Sequence, residues 1–165
     1  MTESVADRIA GCAAEVLEVC REAGLKLATV ESCTGGLIAA ALTEIPGSSA
    51  VVERGFVTYS DEAKSELVRV PPELIRRRGA VSEEVACAMA EGGLARSVAD
   101  ITVAVTGIAG PAGGSETKPV GLVHIACARA GRETLHRRHV FPGDRRAVRE
   151  AAVLAALEMI LRQAG

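Results

Sequence analysis

The chain has almost no aromatic side chains, because its 165 residues include no Trp, one Tyr and two Phe. Proteins that bind single-stranded nucleic acid stack the bases on aromatic rings, so this class of function has little support. The formal net charge of −2 also provides no general attraction to a polyanion. We therefore expect no nucleic-acid partner.

Paired cysteines and long apolar runs are also absent. The cysteines number five and none lies in a Cys-x-x-Cys pair, which is typical of free thiols in a reducing compartment. The first 21 residues alternate charged and apolar side chains at helical spacing, unlike a signal peptide or a membrane span. We expect a soluble, cytoplasmic protein with no membrane partner.

The chain has only three histidines, and the spacing of two of them does not suit a shared metal site. His136 and His139 fall in one predicted strand at a spacing that points them to opposite faces. We therefore predict no metal and no cofactor.

The hydrophobic residues, 48% of the chain, are mainly Ala, Val, Leu and Ile, a composition that suits helices packed closely on a sheet. No linker divides the chain, so residues 1–165 are expected to form a single domain. Apolar spacing predicts helices over residues 5–23, 37–44, 61–68, from residue 82, and 146–162, and strands over residues 25–30, 51–59, 101–106, 119–128 and 133–141. Residues 129–132 indicate a hairpin, so the predicted fold is an α/β protein, a three-layer α/β/α sandwich with a mixed sheet.

A serine-rich turn and a lysine suggest nucleophilic chemistry. Ser48 and Ser49 follow Pro46-Gly47, and Lys64 begins a helix just after a strand that ends at Tyr59. A serine hydroxyl needs a base, and a partly buried lysine with a lowered pKa is a suitable one. Tyr59 could orient an amide or relay a proton. The alternatives are an ordinary turn and an exposed helical lysine.

A second loop, residues 31–36, is predicted to lie between a strand and a helix. Its members Ser32, Thr34, Gly35 and Gly36 present backbone N–H groups and a helix dipole that suit a phosphate. The alternative is a tight capped turn. Cys33 is a weaker candidate nucleophile than the serines, because no histidine is evident beside it.

A third loop, residues 106–114, is rich in glycine, which allows a ligand to approach the backbone closely. Thr106, Gly107 and Gly110 are its candidate substrate contacts, and this loop or the turn containing Ser48 and Ser49 could supply oxyanion donors. Arg145, at the start of the last helix, is a candidate phosphate partner because guanidinium groups bind oxyanions in a bidentate manner. An exposed arginine is the alternative.

Several strings together resemble the CinA C-terminal domain family. They are Glu31-Ser32-Cys33-Thr34-Gly35-Gly36, Pro46-Gly47-Ser48-Ser49, Arg54-Gly55-Phe56-Val57-Thr58-Tyr59-Ser60, Gly79-Ala80-Val81-Ser82, Gly107-Ile108-Ala109-Gly110-Pro111, Lys118-Pro119-Val120-Gly121 and Phe141-Pro142-Gly143-Asp144-Arg145. The resemblance covers nearly the whole chain in order, and it is closest to the stand-alone form of the family.

The resemblance implies a nicotinamide-nucleotide amidohydrolase, which converts nicotinamide mononucleotide to nicotinate mononucleotide and ammonia in pyridine-nucleotide salvage. It also implies a serine–lysine pair, whose positions correspond here to Ser49 and Lys64, with Ser48 and Ser32 as the other possible nucleophiles. The small-molecule substrate is then the nucleotide itself.

Three other expectations accompany this interpretation. One alternative is a non-catalytic nucleotide-binding or regulatory module linked to competence or damage responses. Another is hydrolysis of a different amide or of a nucleotide pyrophosphate. Pyrophosphate hydrolysis generally needs a divalent metal. An Ala-rich helical surface and the modest size favour a homo-oligomer.

Overall fold

Five strands form one mixed sheet in the computed structural model, which describes all of residues 1–165. They are β1 (Leu27–Glu31), β2 (Val52–Val57), β3 (Ile101–Gly107), β4 (Leu122–Arg129) and β5 (Leu135–Val140). The strand order is β2-β1-β3-β4-β5. β1 pairs in parallel with both β2 and β3, whereas β4 pairs antiparallel with β3 and with β5. The predicted mixed sheet and its antiparallel hairpin are confirmed.

Six helices cover the two faces of this sheet, namely α1 (Val5–Glu22), α2 (Leu37–Thr43), α3 (Asp61–Val68), α4 (Pro72–Arg78), α5 (Glu83–Ala95) and α6 (Arg145–Ala164). One apolar core joins α1, α2 and α6 to the face that carries Ile101, Val103 and Val105. A second core joins α3, α4 and α5 to the face that carries Ala104 and Ala126. These two cores make the three layers that the sequence predicted.

Helix α4 is the one element that the sequence pattern missed. The apolar spacing predicts no helix between residues 68 and 82, but α4 begins at Pro72, directly after Pro71. The fixed φ of proline suits the first helical position, where its missing N–H has no intrahelical partner in any case. The helix ends at Arg78 and is capped by Gly79, which has a φ of 79°.

The second core depends on close packing of α5. A Cβ atom at Gly92 would lie 1.9 Å from the carbonyl oxygen of Val68, and one at Gly93 would lie 2.5 Å from the side chain of Val30. Glycine at these positions therefore lets α5 approach the end of α3 and strand β1. This packing sets where α3 lies relative to the sheet.

The parallel strands bring three chain segments to one edge of the sheet. β1 ends at Glu31, β2 at Val57 and β3 at Gly107, and the carboxyl ends of parallel strands share an edge. Residues just after these positions therefore meet there. No helix of the fold combines the length and the apolar character needed to cross a membrane.

Candidate active site

Lys64 is buried beside the carboxyl end of β1. It is 1% exposed, and its Nζ lies 3.1 Å from the Oγ of Ser32, 3.0 Å from the carbonyl oxygen of Thr58 and 3.1 Å from that of Tyr59. The first turn of α3 places it there, since the Ser60 hydroxyl caps this helix by accepting the N–H of Ala63. A lysine and a serine are thus in hydrogen-bond contact inside the protein.

The surroundings of Lys64 favour its neutral form more than water does. Burial lowers the pKa of Lys64 below its ordinary value, while the weaker electrostatic effect of Asp61 opposes this shift. A neutral amine has two N–H donors and one lone pair. In the structure Nζ donates to Ser32 Oγ, and the Ser32 hydroxyl donates to the Tyr59 carbonyl at 3.5 Å. In the neutral form, donation by Nζ to the carbonyl groups of Thr58 and Tyr59 would leave the lone pair for the hydroxyl of Ser32, the arrangement that a general base requires.

The predicted pairing of Ser49 with Lys64 is not what the structure contains. Ser48 and Ser49 lie in a short 3₁₀ turn, Ser48–Ala50, which precedes β2, whereas Lys64 follows the end of that strand. The six residues of β2 separate them by roughly 20 Å at about 3.3 Å per residue. The serine beside Lys64 is Ser32, because the parallel pairing of β1 with β2 aligns their carboxyl ends.

Cys33, next to Ser32, is held as a thiol. Burial raises the pKa of Cys33 to about 11. A thiol in this state is a poor nucleophile compared with a thiolate. The contact with Lys64 therefore distinguishes Ser32 from its neighbour.

The start of α2 is not open to a phosphate, contrary to the expectation for the loop that contains Thr34, Gly35 and Gly36. The carboxylate of Glu31 accepts the N–H of Ile38 at 2.8 Å and that of Ala39 at 3.1 Å. A negative side chain therefore already occupies the positive end of this helix. A bound phosphate would meet the repulsion of the Glu31 charge at this point.

The same loop still has unused polar groups. The N–H groups of Cys33 and Thr34 donate to no backbone carbonyl, although the Cys33 N–H faces its own thiol, and the Thr34 hydroxyl is fully buried without a partner. Gly35 instead donates its N–H to the carbonyl oxygen of Ser32. Two N–H donors that bind no carbonyl thus follow directly after the serine.

A recess of about 200 Å³ opens in front of Ser32. Tyr59, Thr106 and Gly107 line it together with Ser32, so the structure brings these predicted residues into one site. The Thr106 hydroxyl donates to the carbonyl oxygen of Ala80, and the Tyr59 side chain is 61% exposed at the rim. Ligand sites usually measure roughly 300–1,000 Å³, so this recess suits a part of a nucleotide.

A larger cavity of about 900 Å³ adjoins the recess, and Ala109 and Arg145 form part of both walls. Arg145, Arg146 and Arg149 line this cavity, with Asp144 and Glu150 as its acidic members. The Arg145 guanidinium donates to the carbonyl oxygen of Gly110 at 2.8 Å. Arg145 thus stands near the recess, as its candidate role requires, while Gly110 serves as its acceptor.

Two residues of the site were missed in the sequence. Arg149 contacts the loop that contains Ser32, since it donates to the carbonyl oxygens of Cys33 at 3.1 Å and Thr34 at 3.3 Å. Glu31, the first residue of that loop, holds N–H groups at the start of α2. Arg149 could have been found from its spacing, since it follows Arg145 by four residues on one helix face. Glu31 could have been found as an acidic residue at the end of a predicted buried strand.

The histidines line neither cavity, although His124 is the cross-strand neighbour of Thr106. His124 Nδ1 and His136 Nε2 are 2.9 Å apart on β4 and β5, and burial lowers the pKa of His124 to about 4. No group of three or more His, Cys, Asp or Glu side chains is arranged to hold a metal ion.

Known proteins match most of the chain in sequence. The curated nicotinamide-nucleotide amidohydrolase PncC of Escherichia coli is 49% identical over 149 residues, which are 90% of each chain. A CinA-like protein of Akkermansia muciniphila is 51% identical over 92% of this chain, which spans only 37% of that longer relative. The chain likewise spans 35% of a putative competence-damage inducible protein of Symbiobacterium thermophilum.

The fold and the sequence strings point to the same group of proteins. The crystal structure of the competence/damage inducible protein CihA from Agrobacterium tumefaciens superposes with a TM-score of 0.92 at 49% identity, over 94% of both chains. The sequence profile described as the CinA C-terminal domain matches residues 9–164. The resemblance of the strings around Ser32, Tyr59 and Gly107 is therefore confirmed over nearly the full length, and the chain belongs to the CinA C-terminal domain family.

Proposed function

We propose that this protein is an amidohydrolase that converts nicotinamide mononucleotide to nicotinate mononucleotide and ammonia, with Ser32 as nucleophile and Lys64 as general base. The observation that carries the proposal is the 3.1 Å contact between Lys64 Nζ and Ser32 Oγ at a buried position in front of a recess. The 49% identical amidohydrolase of Escherichia coli, which is named for a nicotinamide nucleotide, supports the choice of substrate.

In the first half of the proposed reaction, Lys64 takes the proton of the Ser32 hydroxyl while Oγ attacks the carboxamide carbon. The carbonyl oxygen of the substrate becomes an oxyanion, for which the N–H groups of Cys33 and Thr34 are the nearest donors in sequence. The C–N bond then breaks, Lys64 returns its proton to the leaving nitrogen, and ammonia departs. A nicotinoyl ester of Ser32 remains.

In the second half, a water molecule attacks the ester carbon and Lys64 accepts the proton of that water. The bond between Ser32 Oγ and the carbon breaks, Ser32 regains a proton from Lys64, and the carboxyl product forms. No metal enters this sequence of steps. Water supplies the oxygen that replaces the amide nitrogen.

The two adjoining cavities suggest how the nucleotide lies. The pyridine ring would occupy the recess, where Tyr59, Thr106 and Gly107 form the walls. The phosphate would lie in the larger cavity near Arg145, because guanidinium groups bind phosphate in a bidentate manner. This arrangement replaces the phosphate site expected at the start of α2.

The test is ammonia release from nicotinamide mononucleotide by the purified protein and by Ser32→Ala, Ser49→Ala and Lys64→Met. We expect Ser32→Ala and Lys64→Met to lose about 10³-fold or more of kcat. Ser49→Ala, matched in chemistry but located beyond the other end of β2, should retain activity. Loss of activity in Ser49→Ala with full activity in Ser32→Ala would overturn the assignment.

Folding of Lys64→Met is a useful internal control. Methionine has a similar length and no buried amine to desolvate, but it leaves the Thr58 and Tyr59 carbonyls without this donor. The two effects oppose each other, so the Tm is expected to change little. Tight binding of the nucleotide by the wild-type protein without ammonia release would instead support a non-catalytic module.

A further inference from the structure

Arg149 lines the cavity of about 900 Å³, the cavity of the arginines, and it also contacts the loop that contains Ser32. It lies on α6, and its Nε and Nη2 donate to the carbonyl oxygens of Cys33 and Thr34, the two residues after Ser32. Neither Arg145 nor Arg146 contacts this loop, because Arg145 donates to Gly110 and to the Tyr59 hydroxyl, while Arg146 pairs with Glu150.

The guanidinium of Arg149 also has donors to spare. Of its five N–H groups, the two carbonyl contacts use two, and the side chain forms part of the wall of the 900 Å³ cavity. An anion in this cavity can therefore bind the guanidinium that already holds the loop. One side chain would then contact the phosphate and the nucleophile loop together.

We propose that Arg149 is a positioning residue that couples phosphate in the cavity to the geometry of the loop containing Ser32. The proposal rests on the proposed function. If Arg149 acts in this way, the substrate phosphate raises kcat as well as the affinity for the nucleotide. Remote binding energy that is used to order a catalytic group acts in this way.

The peptide geometry explains how the effect reaches the reacting atoms. In a trans peptide the N–H points away from the carbonyl of the same unit. Holding the Cys33 carbonyl on Arg149 therefore directs the Thr34 N–H, which has no acceptor within the protein, to the opposite side. The guanidinium fixes the orientation of a donor that the proposed oxyanion needs.

The other end of the loop is already fixed. Glu31 holds the N–H groups of Ile38 and Ala39 and is 1% exposed. A Cβ atom at Gly35 would lie 3.6 Å from Nη2 of Arg149, so the loop packs directly on the guanidinium. Glu31 thus fixes the start of α2, whereas Arg149 holds the loop itself and also lines the cavity of the arginines.

The experiment compares nicotinamide mononucleotide with nicotinamide riboside, which lacks the phosphate, in the wild-type protein, Arg149→Lys and Arg146→Lys. We expect the wild-type kcat to be up to about 100-fold higher with the nucleotide than with the riboside, because a truncated substrate loses the remote binding energy that orders the site. Arg149→Lys should lower the nucleotide kcat toward the riboside value, because an ammonium cannot span two carbonyls and a phosphate. Arg146→Lys should raise KM for the nucleotide while the kcat ratio between the substrates persists.

Two kinetic results would overturn the coupling. One is a rise in KM alone for Arg149→Lys, and the other is an equal loss of kcat with both substrates, which indicates only structural damage. Absence of ammonia release by the wild-type protein would instead overturn the proposed function. The kinetic results therefore separate the two proposals.

A second measurement needs no turnover. Inorganic phosphate should slow amide hydrogen exchange in residues 33–36 of the wild-type protein, and this protection should be lost in Arg149→Lys. Absence of protection in the wild-type protein at saturating phosphate would contradict the coupling directly.

Discussion

At the scale of single residues, the feature with the largest chemical consequence is the burial of Lys64. An amine that is 1% exposed loses most of its hydration, which is costly for the charged form. Two backbone carbonyls and one serine hydroxyl replace the water. A lysine in these surroundings is a stronger candidate base near neutral pH than an exposed one.

The pH dependence of turnover follows from this burial. Since the neutral amine accepts the proton, kcat should rise with pH up to the pKa of Lys64, which lies below its ordinary value. Asp61 raises this pKa electrostatically, so Asp61→Asn should move the rising limb to lower pH. Steady-state rates over about pH 6 to 10 measure both effects. A profile that does not move in Asp61→Asn, or moves to higher pH, would contradict the role of Lys64.

At the scale of secondary-structure elements, helix α2 depends on a single carboxylate. Each oxygen of Glu31 accepts one N–H of the first turn, whereas the amide of Glu31→Gln has only one oxygen. The variant should lose about 1.5–3 kcal/mol of the free energy of unfolding, the range for hydrogen bonds to charged groups. Chemical denaturation measures this loss.

The matched control for Glu31→Gln is Glu44→Gln. Glu44 lies exposed at the other end of α2, so its substitution should change stability by less than about 0.5 kcal/mol. Equal effects of the two substitutions would show that the contacts of Glu31 do not stabilise the helix.

The packing of α5 against α3 provides a second prediction at this scale. Gly92→Ala places a Cβ atom 1.9 Å from a backbone oxygen, and the expected cost is about 1–3 kcal/mol of stability. Because that oxygen belongs to Val68, the last residue of α3, the shift of α3 should also move Lys64 and lower kcat. Thermal unfolding and ammonia release report the two effects.

Gly11→Ala is the control for the packing at Gly92. Gly11 lies within α1, and a Cβ atom at this position would have no neighbouring atom within 4 Å. Alanine should therefore stabilise the protein by about 0.5–1 kcal/mol, because it favours the helix more than glycine does. A loss of stability in Gly11→Ala as large as in Gly92→Ala would remove the packing explanation.

At the scale of the whole molecule, the site is assembled from segments that lie far apart in the chain. Ser32 follows β1, Lys64 lies on α3, Gly107 ends β3 and Arg145 begins α6. A ligand that bridges the recess and the cavity contacts several of these segments together. Binding should therefore stabilise the fold as a unit.

This expectation can be measured with Ser32→Ala, which should bind nicotinamide mononucleotide without consuming it. A ligand at about 100 times its Kd adds roughly 2.7 kcal/mol of stability, which corresponds to a rise in Tm of about 5–10 °C for a domain of this size. Nicotinamide alone, without ribose and phosphate, should give a much smaller shift. An equal shift with both ligands would contradict a role for the cavity of the arginines.

Local patterns in the sequence were sufficient for most of the fold. Alternating and helical apolar spacing predicted five strands and five of the six helices, because burial on one face or both faces imposes these periods. Only α4 was missed, since two prolines indicate an interruption unless the second one is known to start a helix. Helix and strand identity is thus mainly a local property of this chain.

The sequence by itself determined the family, the layers and the residue types of the site, since each of these follows from strings and periods along the chain. Only the tertiary structure decided which serine meets Lys64. Ser49 is closer to Lys64 in sequence, but the intervening strand holds them apart, and parallel pairing brings Ser32 to the lysine instead. Strand pairing sets distances between residues remote in the chain, and it is a property of the folded sheet.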